Sequence, residues 1–262
     1  MAHMQIDAHS FQEALTSCGI QPGDTLMLHA DALAAMQIRT GTPSEKMDTL
    51  LDGVLAALGS TGTLIMPTFT YSATKGEVFD PELSPSTVGQ LTELFRLRSG
   101  VKRSVHPIFS VAAYGAKADD YACSVTEDSF GPGTAFDLLN RDNAWIACLA
   151  CCFDRITFVH YVEQYASVDY RFFKSFPSQI LRDGQIESGS VRYLVRHLDR
   201  QTVTHLDTLK TELQRTGQLH TADIGRAQLL CVRARDFLNT ALGLMKQQPN
   251  VLIEEGACPT TT

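Results

Sequence analysis

The sequence lacks the features that would place it in a membrane, outside the cell or on a nucleic acid. Its apolar runs fall short of the about 18–20 residues that span a bilayer. The N-terminus has no basic stretch followed by apolar residues, so we expect no secretion signal. Lys and Arg number 22 against 29 Asp and Glu, a net charge of −7, which makes nucleic acid a poor candidate partner. We therefore expect a cytoplasmic protein.

The cysteines do not suit a disulfide framework, because there are seven of them in 262 residues, an odd number in a long chain. Three lie close together, at Cys148, Cys151 and Cys152. A Cys-x-x-Cys spacing is half of a zinc site, but no second pair or histidine cluster lies nearby in the sequence, so we predict no metal. Buried thiols are favoured. The alternative is a reactive Cys152, which would precede a helix N-terminus that lowers its pKa.

The order of apolar strands and amphipathic helices predicts an α/β fold. The strand–helix–strand order of residues 25–67 indicates a parallel unit with a crossover helix. We predict a single large domain over residues 5–253, with a central, largely parallel or mixed sheet flanked by helices. The C-terminal third is a candidate small subdomain. Residues 1–4 are expected to be a cloning remnant and residues 254–262 a disordered tail. The predicted helices span 10–19, 43–58, 91–97, 156–167, 206–216 and 234–245, and the predicted strands 25–29, 63–67, 109–115 and 145–150, with a strand-rich stretch over 178–198.

The most informative segment is the predicted helix after strand 145–150. Thr157, His160 and Glu163 recur every third residue, which puts them along one side of that helix. A helix in this position starts at the carboxyl edge of the sheet, where open α/β folds bind ligands. A histidine beside a carboxylate can accept a proton from an amine. By spacing alone, however, a packed histidine and a solvated glutamate are the more common outcome.

Six blocks of the sequence carry a family resemblance, and they follow one another in order. They span residues 22–29, 58–69, 106–115, 129–139, 157–163 and 217–227. Together these blocks resemble the aminoglycoside 3-N-acetyltransferase family, and the likeness covers roughly residues 10–253. The block from His106 to Gly115 is a specific match. The sequence departs from the family at Ala30-Asp31, where small hydroxyl residues are usual, and at Cys151-Cys152-Phe153, where a Gly-rich turn is usual.

The resemblance implies an enzyme that transfers an acyl group, in the first place acetyl, from acyl-coenzyme A to an amino group of an aminoglycoside or amino sugar. It implies that His160 is the general base, that Glu163 is its partner and that Thr157 is a hydroxyl of the catalytic site. Acyl-coenzyme A is then the co-substrate, with no metal, and a homodimer is compatible with the sequence. The residues expected to bind the coenzyme are His29, Ala30, Asp31, His106, Ser110 and Thr134, and those expected to bind the acceptor are Asp154 and Tyr170.

Two other functions stay open from the sequence. The chain could be a non-catalytic ligand-binding relative that kept the scaffold. It could also be a hydrolase or thioesterase that uses Cys152 or Ser110 as nucleophile together with His160.

Overall fold

The computed structural model describes residues 6–123, 127–197 and 201–256, in which helices cover a mixed sheet. The α-helices are α1 Ala8–Ser17, α2 Pro43–Leu58, α3 Ser72–Lys75, α4 Gln90–Arg96, α5 Ala118–Ala122, α6 Ala135–Asp142, α7 Val159–Tyr165, α8 Asp207–Arg215 and α9 Ala234–Met245. The strands are β1 Thr25–Ala30, β2 Thr63–Pro67, β3 Val78–Phe79, β4 Lys102–Arg103, β5 Val111–Gly115, β6 Trp145–Leu149, β7 Arg171–Arg182, β8 Gln185–Arg196, β9 Gln201–Thr204, β10 His220–Ile224, β11 Ala227–Arg233 and β12 Ile253–Gly256. Short 3-10 helices span Ala32–Gln37 and Phe153–Arg155.

The main sheet has the strand order β10-β11-β6-β1-β2-β5-β4. Strand β1 is parallel to both β2 and β6, and α2 forms the predicted crossover between β1 and β2. The outer pairs β2–β5, β4–β5, β6–β11 and β10–β11 are antiparallel. The prediction of a mixed sheet flanked by helices is therefore confirmed.

Two apolar layers pack on opposite faces of this sheet. Successive side chains of a strand point to opposite faces, so Met27 joins one core cluster while Leu26 and Leu28 join the other. All three side chains are fully buried. Because β1 is covered on both faces, its sequence is continuously apolar until His29.

Local sequence signals explain why α2 lies where it was predicted. The hydroxyl of Thr42 accepts a hydrogen bond from the backbone N–H of Glu45, and the carboxylate of Glu45 accepts one from the backbone N–H of Thr42. Pro43 occupies the first helical turn, and Gly59 ends the helix at φ 64°. These are the capping box, the N-terminal proline and the C-terminal glycine of a well-defined helix.

The C-terminal third is not one separate unit, because its elements join different sheets. Strands β10 and β11 extend the main sheet, whereas β7 and β8 form a hairpin of two 12-residue strands that pairs with β3. The predicted tail begins with a strand instead, since Ile253–Gly256 pairs with β9. A strand satisfies backbone groups that an unfolded tail leaves to water. The cloning-remnant prediction for residues 1–4 and the end of the tail, residues 257–262, lie outside the described residues.

No helix in residues 6–123, 127–197 and 201–256 is long and apolar enough to cross a bilayer.

Candidate active site

A cleft of about 410 Å³ opens at the carboxyl ends of the parallel strands β1 and β6. Ligands bind at this edge in open α/β sheets, because loops there are held by a rigid framework. The cleft volume lies within the range typical of small-molecule sites. The residues that line it are His29, Ala30, Asp31, Pro67, Phe69, Tyr71, Val88, Thr92, Cys151, Asp154, Arg155, Ile156, Thr157, Val159 and His160.

His160 stands in the first turn of α7 with 27% of its side chain exposed. Its Nδ1 lies 2.7 Å from Oε2 of Glu163, three residues further along the helix. The carboxylate accepts the Nδ1 proton, which leaves Nε2 with a lone pair. The edge of Phe130 packs on the ring, with centroids 5.4 Å apart. The imidazole is thus held in one orientation and can accept a proton at Nε2.

Glu163 is the buried partner of this histidine, and its side chain is 0% exposed. Burial alone raises its pKa, but the nearby His160 and Arg171 outweigh that effect, and the net pKa is lowered. Nε of Arg171 lies 2.9 Å from the same Oε2 that accepts the His160 proton. The site therefore contains a buried carboxylate that stays anionic.

His29 and Thr157 form a second contact inside the cleft. The backbone N–H of Thr157 donates to Nε2 of His29 at 3.2 Å, so Nε2 holds the lone pair and Nδ1 the proton. Burial lowers the pKa of His29 to about 4, which the carbonyl of Ala147 only partly opposes. The Thr157 hydroxyl lies 3.4 Å from the same nitrogen. A neutral His29 therefore fixes the turn that carries Thr157 beside His160.

Charged side chains of both signs surround the cleft. Asp31 accepts the backbone N–H of Leu33 at 2.8 Å and so caps the 3-10 helix that follows β1. Asp154 accepts the backbone N–H of Leu206 through one oxygen and the thiol of Cys152 through the other. Arg155 adds a cation to the lining. The cleft can thus attract a cationic ligand while keeping one contact for an anionic group.

Comparison with known proteins identifies the family of the chain. The family model described as aminoglycoside 3-N-acetyltransferase matches residues 27–246, which is most of the chain. The chain belongs to the aminoglycoside 3-N-acetyltransferase family. The resemblance seen in the six sequence blocks is therefore confirmed.

Curated members of this family match over most of their length. The chain is 28% identical to aminoglycoside N(3)-acetyltransferase IV from a Salmonella species, over 91% of this chain and 87% of that protein. It is 24% identical to aminoglycoside N(3)-acetyltransferase VII from Streptomyces paromomycinus, with 89% of each chain covered.

Solved structures of the family share the fold. Aminoglycoside acetyltransferase AAC(3)-IVa, as the apoenzyme, superimposes with a TM-score of 0.77 at 25% identity, covering 95% of this chain and 93% of that one. A variant of that enzyme with one histidine replaced by alanine was solved in complex with a gentamicin and gives a TM-score of 0.76 at 25% identity, with 96% and 93% covered. AAC-IIIb, solved with CoASH, gives 0.77 at 22% identity, with 92% and 96% covered.

The structure places part of the expected coenzyme set in the cleft of this family member and the rest in its interior. His29, Ala30 and Asp31 line the cleft. His106 is 6% exposed, and its Nδ1 accepts the backbone N–H groups of Ile108 and Phe109. The ring of His106 ties the turn before β5 together and does not line the cleft.

Ser110 and Thr134 also lie outside the lining of the cleft. Ser110 is fully buried and donates to the backbone carbonyl of Thr68 at 2.7 Å. Thr134 is 4% exposed, caps α6 by accepting the backbone N–H of Asp137, and donates to the carbonyl of Gly131. Their hydroxyls are used by the fold, so neither is available to a ligand in the cleft.

The two expected acceptor contacts also differ. Asp154 lines the cleft, but its oxygens are engaged as described above. Tyr170 is 1% exposed and does not face the cleft. Its hydroxyl lies beside Glu163, and burial followed by the charge of that carboxylate raises the pKa of Tyr170 well above its usual range. Tyr170 therefore packs behind the histidine–glutamate pair rather than in the lining of the cleft.

The helix that carries His160 is shorter than predicted. It spans Val159–Tyr165 rather than residues 156–167, so Thr157 lies in the turn before it. The side chain of Thr157 therefore reaches the cleft from the turn that His29 holds, and not from one face of a helix.

The cysteines by the cleft are bonded as thiols. Cys148 is buried, and Cys151 donates to the carbonyl of His29 at 3.4 Å. Cys152 is exposed, but its bond to Asp154 and, less strongly, its burial raise its pKa. The expected lowering by a helix N-terminus is wrong, because a carboxylate accepts from this thiol. No group of three or more His, Cys, Asp or Glu side chains in the described ranges could hold a metal ion.

Sequence reasoning missed Arg171 and the aromatic wall of the cleft. Arg171 follows α7 and is not among the site residues expected from the sequence, and its side chain is only 8% exposed. Phe69 and Tyr71 come from the loop after β2, and their rings pack edge to face with centroids 6.2 Å apart. Tyr71 has the left-handed φ of 58°, which is uncommon for a residue with a side chain. The periodic spacing of apolar residues predicts helices and strands, but it does not predict the conformation of such a loop.

Proposed function

We propose that this protein transfers the acetyl group of acetyl-coenzyme A to an amino group of an aminoglycoside, with His160 as general base. The observation that carries the proposal is the 2.7 Å contact between His160 Nδ1 and the buried carboxylate of Glu163, with the ring at the wall of the cleft. Membership of the family supports the reaction and the class of acceptor.

The chemical step needs an unprotonated amine beside a thioester. Nε2 of His160 takes the proton of the amine as the nitrogen attacks the thioester carbonyl, and the Glu163 carboxylate stabilises the imidazolium that forms. The new C–N bond then remains while the C–S bond breaks. Coenzyme A leaves as a thiolate, which takes up the proton from the imidazolium or from solvent. The Thr157 hydroxyl is the side chain we assign to the oxyanion, because it lines the cleft next to His160.

The charges of the cleft suit the two substrates in different ways. Asp154 gives one part of the cleft a negative potential, which favours a polycationic acceptor. His29, Ala30 and Asp31 end β1 at the cleft and are the residues we assign to the coenzyme. Arg155 supplies positive charge for its phosphates. The curated relatives are named for acetylation at the 3-amino position, and we propose the same position here.

The hydrolase alternative has less support. Ser110 is fully buried, and Cys152 is held as a thiol by Asp154. Neither group is activated by His160, because the only side-chain hydrogen bond of the His160 ring in the described part of the chain goes to Glu163.

The test is a free-thiol assay with acetyl-coenzyme A and a panel of gentamicin, apramycin and simple amino sugars. We expect thiol release only when an aminoglycoside is present. Release without any amine would favour the hydrolase, and no release with any acceptor would favour a non-catalytic relative. A thermal-shift titration with coenzyme A reports binding separately, because a ligand of the folded state raises the melting temperature.

Replacement of the base gives the sharper result. We expect His160→Ala to lower kcat/KM by about 10²–10⁴-fold, the usual contribution of a positioned general base. The matched control is His9→Ala, because His9 also pairs with a glutamate, Glu13 at 3.0 Å, but on the exposed face of α1. Equal loss in both variants, or amine-dependent turnover retained in His160→Ala, would refute the assignment.

A further inference from the structure

Behind the proposed base, Glu163 forms a buried ion pair with Arg171, a residue that has no part in the proposed reaction. Arg171 begins β7, and its Nε lies 2.9 Å from Oε2 of Glu163, with the two side chains 8% and 0% exposed. Its Nη2 lies 3.4 Å from the hydroxyl of Thr204 on β9. A guanidinium is rarely buried unless it is paired, because removing it from water is costly.

We propose that Arg171 is a positioning residue that keeps Glu163 anionic and oriented behind His160. The inference rests on the proposed role of His160 as base. One carboxylate oxygen, Oε2, serves both Nδ1 of His160 and Nε of Arg171. The orientation that pairs Glu163 with the arginine is therefore the one that holds the imidazole.

The charge of Arg171 matters because the carboxylate of Glu163 is buried and is not solvated by bulk water. Burial raises the pKa of Glu163, and the two cations that oppose this are His160 and Arg171. His160 has to be neutral before it can accept a proton. In that state Arg171 is the only one of these two groups that still carries a positive charge beside Glu163. Without it, proton uptake by the histidine–glutamate pair becomes easier, since less positive charge opposes it.

The other groups around the pair do not replace this charge. Tyr170, just before β7, is a neutral hydroxyl beside Glu163, and Asp169 adds negative charge next to it. Tyr193 on β8 lies near Arg171. Burial raises the pKa of Tyr193, and the charge of Arg171 opposes that effect only in part, so the hydroxyl is neutral. Arg196 lies opposite Arg171 in the β7–β8 ladder, but it is exposed and so screened by water.

The experiment compares the pH dependence of kcat/KM in the full-length enzyme and in Arg171→Gln and Arg171→Lys. Gln keeps a hydrogen-bond donor for Glu163 but not the charge. We expect the acid limb of the Arg171→Gln profile to move to a pH about one unit higher than in the wild type. On that limb kcat/KM should be about tenfold below the wild-type value at the same pH, and on the alkaline plateau it should be close to the wild-type value. The Lys variant should return the limb to within a few tenths of a unit of the wild type. A merely structural role would instead lower activity at every pH and leave the limb in place.

The control is Arg182→Gln, at the far end of the same strand, where the side chain is 43% exposed and lies 3.5 Å from Glu187. Its profile should match the wild type. If Arg171→Gln does not fold, the Lys variant still tests the role of charge. An acid limb that moves by about one pH unit in Arg171→Lys, which keeps the positive charge, would overturn that role.

An NMR titration of the His160 ring separates this inference from the proposed function. The pH at which the ring signals move should rise in Arg171→Gln whether or not any acceptor is turned over. If the wild type is inactive but the ring titration moves, the inference stands and the proposed function fails. If the enzyme is active and neither the limb nor the ring titration moves, the inference is overturned alone.

Discussion

Replacing Glu163 with Gln tests the buried pair in two independent ways. The shape is preserved, but Arg171 is left at 8% exposure without its carboxylate. Removing one partner of a buried ion pair costs about 3–5 kcal/mol. Two effects reduce this cost. Arg171 keeps its contact with Thr204, and the variant no longer has to bury the charge of Glu163. We therefore expect the free energy of unfolding to fall by about 3 kcal/mol. At about 2–4 °C per kcal/mol for a chain of this size, the melting temperature should fall by roughly 6–12 °C.

The same substitution should affect turnover separately. The imidazolium formed when His160 accepts a proton would lose its carboxylate, so kcat/KM should fall by about 10²–10⁴-fold. The double variant Glu163→Gln/Arg171→Met removes both charges. It should recover most of the stability, because a neutral pair of similar volume carries no unpaired charge, and it should stay inactive.

The assays are thermal and urea unfolding together with thiol release measured over a range of acceptor concentrations, which gives kcat/KM. The control is Glu212→Gln, since Glu212 pairs with Arg215 at the same three-residue spacing but on the surface of α8, with the two side chains 28% and 70% exposed. That variant should keep the stability of the wild type, because ion pairs at the surface contribute little. Wild-type turnover in Glu163→Gln, or activity regained in the double variant, would refute the reasoning.

Two further predictions concern stability. Ala150 holds φ 56° at the end of β6, so Ala150→Gly should stabilise the protein by roughly 0.5 kcal/mol, as relief of left-handed strain exceeds the added entropy of the unfolded chain. Ala147→Gly, in the extended strand, should instead destabilise it, and equal urea midpoint shifts of one sign would contradict this. The second prediction concerns pH. Burial lowers the pKa of His29 and of His106 from 6.5 to about 4. The unfolded chain therefore binds more protons below pH 6.5, and stability, complete above that pH, should fall as the pH drops towards 4. Urea midpoints that stay flat over this range would contradict it.

The helices and strands with strong local signals could be predicted from the sequence. Residues 43–58 and 63–67 form the predicted helix and strand with the same bounds. The shortened α7 and the long β7–β8 hairpin could not, because their ends depend on packing rather than on caps or period. Arg171, the first residue of β7, pairs with Glu163, a contact that hydrophobic patterning does not encode.

The sequence by itself determined the fold class and the family. The family resemblance, rather than the three-residue spacing alone, predicted the pairing of His160 with Glu163, and that spacing allows the contact because it brings two side chains together along a helix. Only the tertiary structure decided which expected residues face the cleft. His29 and Asp31 reach it from the end of β1, whereas Ser110 and Tyr170 are turned into the interior. The physical reason is that facing a cleft depends on how distant strands pair and which side of the sheet each residue occupies. Neither property can be read from the spacing of residues along the chain.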